Sequence, residues 1–77
     1  MKFVFYMNMT SSNGNPVHPV IGEHESKDME ELLDHLDQFD FILVTEYFRD
    51  KTPNGVYSVG PIILNSRHIG KIKQWGE

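Results

Sequence analysis

His18, Glu23, His24 and Glu25 cluster around Gly22, and Glu31 and His35 stand four residues apart a little further on. Imidazole and carboxylate are the ligands zinc takes at about 2.0–2.2 Å, and an i, i+4 pair on a helix presents both groups on one face. A divalent ion is therefore one chemistry these residues could serve. No H-E-x-x-H is present, and histidines on an acidic surface are commonly only solvated. Metal binding ranks as a remote third reading, with no metal ligand assigned and no cofactor expected.

Covalent and acid–base chemistry have less support. Ser11, Ser12, Ser26, Ser58 and Ser66 lack a G-x-S-x-G context, and no glycine-rich loop opens a helix to cradle phosphate. The carboxylates fall on the solvent side of a helical pattern, whereas a general acid or base needs a desolvated cleft. A chain of 77 residues has little volume for one. The expectation is a protein that is not an enzyme and has no catalytic residues.

Two charged groups point instead to binding. Glu30, Glu31, Asp34 and Asp37, extended by Glu23, Glu25 and Asp40, form an acidic surface suited to a partner protein with a basic face. Such complementarity steers association and sets specificity. In its sharpest form it imitates nucleic-acid phosphates, as small phage-encoded inhibitors do. Arg67, Lys71 and Lys73 with Trp75 combine phosphate-pairing charge with a stacking surface, the alternative being a nucleic-acid or ribonucleoprotein contact. A net charge of −4 argues against nucleic acid as the partner, so protein binding ranks first.

The elements that must position these residues follow from hydrophobic periodicity. Phe3, Phe5, Met7 and Met9 alternate with Val4, Tyr6, Asn8 and Thr10, predicting a first strand. Ser11–Pro16 is a turn cluster, and Val17–Ile21 predicts a second strand whose prolines confine it to an edge or to loose pairing. Met29, Leu32, Leu33 and Leu36 form one apolar stripe at helical spacing, with Ser26 as the expected N-cap.

Phe41–Phe48 opens on a continuous apolar run and predicts a strand covered on both faces or at the sheet centre. A turn at Lys51–Gly55 leads to a strand over Val56–Leu64, kinked or bulged at Gly60-Pro61. A short turn at Asn65–Arg67 closes a basic C-terminal hairpin, with Lys71, Lys73 and Trp75 on one face of the last strand, His68–Trp75. The segment Ile62–Ile69 resembles a hairpin found in small bacterial and phage β-proteins, a likeness that implies no activity.

The expected fold is a single α+β domain over residues 1–77, in the order strand–strand–helix–strand–strand–strand. One amphipathic helix packs on a twisted, mainly antiparallel sheet of four to five strands. One short helix cannot cover that sheet, so some of Tyr6, Tyr47, Phe48, Tyr57 and Trp75 stay exposed. Tyr47 and Trp75 are the sheet aromatics expected to contact a partner, or a second copy in a homodimer. Without cysteine, disulfide scaffolds and zinc ribbons are excluded. The apolar run Phe3–Met7 is too short for a signal peptide or a membrane span, which leads to the expectation of a cytoplasmic protein with no membrane contact. A chain without alanine but with many Asn, Lys and Ile suits an AT-rich phage or mobile-element gene.

Overall fold

The computed structural model describes residues 1–8, 19–52 and 55–76. Five strands and one helix follow in chain order: β1 (Lys2–Met7), β2 (Val20–Glu23), α1 (Met29–Gln38), β3 (Phe41–Arg49), β4 (Val56–Asn65) and β5 (Ile69–Gln74). A 3-10 turn, Ser66–His68, joins the last two. All strands are antiparallel to their neighbours, in the spatial order β4-β3-β2-β1-β5. The expected α+β architecture is thus present, with five strands.

Alternation divides the side chains between two faces. On one face Phe3, Phe5, Ile42, Val44 and Leu64 are buried around Leu32 of α1, with Met29, Leu36, Ile62, Ile69 and Ile72 packed against them. Gly22 lies on this face too. A Cβ there would meet Val44 Cγ2 at 2.9 Å, so its bare backbone is what lets Val44 and Phe5 close over β2. The other face carries no helix.

Several sequence expectations change. Asp28 caps α1, its side chain accepting from the Glu31 N–H at 2.8 Å, whereas Ser26 is buried and bonds to His24. Leu33 of the helical stripe is 52% exposed, because the helix turns only Met29, Leu32 and Leu36 toward the sheet. β2 begins at Val20, beyond Pro19, and occupies the middle of the sheet. Pro19 precedes the ladder and removes no donor from it. The turn at Ser11–Pro16 lies outside the described residues.

β3 is interior but is not covered on both faces, since Phe41 and Leu43 are more than half exposed. In β4 the register slips opposite Glu46/Tyr47, where Val59 is left unpaired beside Gly60 at φ +144, so the irregularity falls just before the expected Gly60-Pro61. The basic C-terminal hairpin does not form. β5 leaves β4 and pairs with β1 at the opposite edge of the sheet. Four strand spacings of about 4.8 Å exceed the roughly 14 Å that a four-residue step can span. The sheet therefore curls, and its two edges converge at this end. Ser66 anchors the crossing by donating from its N–H to the Asp40 carbonyl and from its hydroxyl to the Phe39 carbonyl, both at 2.8 Å.

Candidate nucleic-acid interface

β1 contributes Lys2, Val4 and Tyr6 to the helix-free face, because Phe3 and Phe5 point to the core. The register of β1 with β5 puts Lys73 opposite Val4 and Lys71 opposite Tyr6, and Trp75 donates its N–H to the Lys2 carbonyl at 3.1 Å. On the other side Ile21 and Glu23 of β2 stand opposite Tyr47 and Thr45 of β3, with Arg49 two residues beyond Tyr47. The face thus gathers three aromatic rings and four cations from β1, β3 and the β5 segment, with β2 lying between them.

The rings and cations are paired. Lys2 Nζ lies 4.8 Å from the Tyr47 ring centre, Lys71 Nζ 4.9 Å from Tyr6, and Arg49 Cζ 5.1 Å from Trp75. Each pair draws on the attraction of a cation for the electron-rich ring face. Beneath them Val4 and Ile21 are only 7% and 6% exposed, although no helix covers this side. The half-buried Tyr6, Tyr47 and Trp75, and the stems of the basic chains, supply that cover while the charged heads reach water.

One carboxylate belongs to the same face. Glu23 accepts a hydrogen bond from the Tyr47 hydroxyl at 2.6 Å. That bond, with Lys2 and the N-terminal ammonium nearby, holds the Glu23 carboxyl below its ordinary range, while Tyr47 is raised by the same bond. Glu23 marks the acidic corner of an otherwise basic surface.

Lys71, Lys73, Tyr47 and Trp75, singled out from the sequence, are therefore brought together. Arg67 is not. It sits in the 3-10 turn, exposed, with its guanidinium 3.3 Å from the Asp40 carboxylate. Sequence reasoning missed Lys2 and Arg49, and named Tyr6 only among the aromatics left uncovered. Their signal was parity: Lys2 and Tyr6 alternate with the core residues of β1, and Arg49 shares a face with Tyr47.

The acidic residues lie elsewhere. Glu30, Glu31, Asp34 and Asp37 ride on α1, which covers the opposite face of the sheet, with Glu31 half-buried and the other three exposed. Asp50 is held low by hydrogen bonds from the Thr52 hydroxyl and N–H. Of the candidate metal groupings, the one that needs His18 lies outside the described residues, and His24 commits Nδ1 to Ser26. Among the described residues no three His, Asp or Glu side chains gather to hold an ion. Of the aromatics expected to stay exposed, Phe48 and Tyr57 are exposed and stack edge to face, their centres 6.1 Å apart. No helix among the described residues is long and apolar enough to cross a membrane.

No protein-family description matches the chain, and neither a characterised protein nor a solved structure is similar to it at a significant level.

Proposed function

We propose that the protein acts in the cytoplasm as a nucleic-acid-binding domain, using the helix-free face of its sheet. The observation that carries this reading is the pairing of Tyr6, Tyr47 and Trp75 with Lys71, Lys2 and Arg49 on a surface that α1 and its acids do not share. The net negative charge counted against nucleic acid only while acids and bases could occupy one surface. With the charges divided between two faces, a polyanion meets Lys2, Arg49, Lys71 and Lys73 first.

The test is fluorescence anisotropy with labelled 12-nucleotide DNA and RNA over a range of salt. Four phosphate contacts predict that log K falls against log salt with a slope of about −3 on a single strand. Lys71→Glu with Lys73→Glu should abolish binding without unfolding the domain, since both side chains are exposed. A folded double variant that binds as tightly as the parent would remove this reading.

A protein partner with a basic surface, met through Glu30, Glu31, Asp34 and Asp37, is the second reading. Separately, the uncharged strip of Phe41, Leu43 and Ile63, each more than 60% exposed and set by alternation on the face away from α1, favours a protein contact of its own, including a homodimer. Sedimentation at several concentrations, with Leu43→Asp as the disrupting variant, reads the homodimer directly.

A further inference from the structure

We infer that the nucleic acid taken by this face is single-stranded, with successive bases seated against the rings that border two adjoining hollows. The inference rests on the nucleic-acid reading above and specifies its ligand. One hollow, about 330 Å³, lies between Tyr6, Tyr47 and Arg49 over Ile21 and Val4. The other, about 380 Å³, lies between Tyr6, Arg49, Lys73 and Trp75, again over Val4. Tyr6, Val4 and Arg49 border both, so the hollows are neighbours on one surface.

Each hollow combines the two features that one nucleotide offers. Its floor is a buried aliphatic side chain and its walls are aromatic, which suits the flat, apolar face of a base. Its rim is basic, which suits a phosphate. A cation within about 5 Å of each ring can turn to the phosphate as the base takes the ring face. A duplex keeps its bases stacked on one another and presents phosphates and groove edges, so no base face reaches the rings.

The charges also suggest where the backbone runs. Glu23, bonded to Tyr47, repels phosphate at the Lys2 corner, whereas Arg49, Lys71 and Lys73 lie away from it along the Tyr6 and Trp75 side. The strand is expected to follow those three cations, with bases turned inward over Val4 and Ile21. Glu23→Gln should then tighten binding.

The experiment compares four probes on the full chain: 12-nucleotide oligo(dT), 12-nucleotide oligo(U), a 12-base-pair DNA duplex and inorganic polyphosphate. Trp75 fluorescence and competition against labelled oligo(dT) serve as readouts. The expected result is binding of at least one single strand about tenfold tighter than of the duplex or polyphosphate, with quenching of Trp75. Trp75→Leu keeps an apolar cover over Val4 and should lose that preference, while Trp75→Phe keeps it; thermal melts establish that both fold. Equal binding of all four probes, or tighter binding of the duplex, would overturn the single-strand inference and leave the nucleic-acid reading standing. Failure to bind any probe would overturn both.

Discussion

His24 is 5% exposed, and its Nδ1 accepts the Ser26 N–H at 3.0 Å with the Ser26 hydroxyl at 2.9 Å. A proton on Nδ1 would oppose that N–H, so the ring is held neutral with its hydrogen on Nε2. Burial lowers the His24 pKa, helped by His35, whose ring centre is 5.0 Å away, and by the N-terminal ammonium; Glu25 and Glu31 oppose the shift. A histidine depressed on folding contributes stability that is complete above its unfolded value near 6.5 and is lost as pH falls through the folded value. The melting temperature is accordingly expected to drop between pH 8 and pH 5. His24→Asn can still accept the Ser26 N–H in an Asx turn but does not titrate. It should melt lower at pH 8 and show a shallower fall toward pH 5 by circular dichroism. An unchanged pH dependence would assign the effect to another group. At the same scale, Gly22→Ala forces Val44 or Phe5 aside and should cost about 1–3 kcal/mol in urea unfolding.

Helix and strand identities were largely legible as elements. The stripe of Met29, Leu32 and Leu36 placed α1, and the alternation of Phe3 and Phe5 placed β1, because both patterns reflect burial against one surface. The cap was misassigned because Ser26 and Asp28 both suit an N-cap, and only the buried position of His24 draws Ser26 away. Asp28→Ala removes the acceptor for the Glu31 N–H and should cost about 1 kcal/mol by thermal melting, whereas Ser26→Ala acts through His24 instead. The β4–β5 connection was read as a hairpin because a three-residue polar turn lay between two strands. Nothing in those residues reveals that β1 offers a free edge, and the crossing to β1 is what brings Lys71, Lys73 and Trp75 beside Tyr6 and Lys2.

Across the whole molecule, α1 puts its acids on one side of the sheet while the cations of β1, β3 and β5 occupy the other. Reversing charge on the helix with Glu31→Lys and Asp34→Lys distinguishes the two binding readings. Oligonucleotide binding should be retained or strengthened, since long-range repulsion is relieved and no ring is touched. Capture of a basic protein partner should be lost. The anisotropy titration and a salt-washed pull-down on the same variant read both outcomes.

By itself the sequence determined the α+β class, the amphipathic helix with its acidic outer side, an irregularity in β4 near Gly60, and the shared face of Lys71, Lys73 and Trp75. These follow from local periodicity and backbone chemistry, which act over a few residues. Only the tertiary structure decided that β2 lies in the middle of the sheet, that β5 adds to β1, and that Arg67 pairs with Asp40 away from the aromatic face. Strand order depends on contacts between residues distant in the chain, which local pattern does not encode. The candidate site depends on it entirely: Lys2, Tyr6, Tyr47, Arg49 and Trp75 become one surface because the curled sheet brings β3 and β5 to either side of β1 and β2, over Val4 and Ile21.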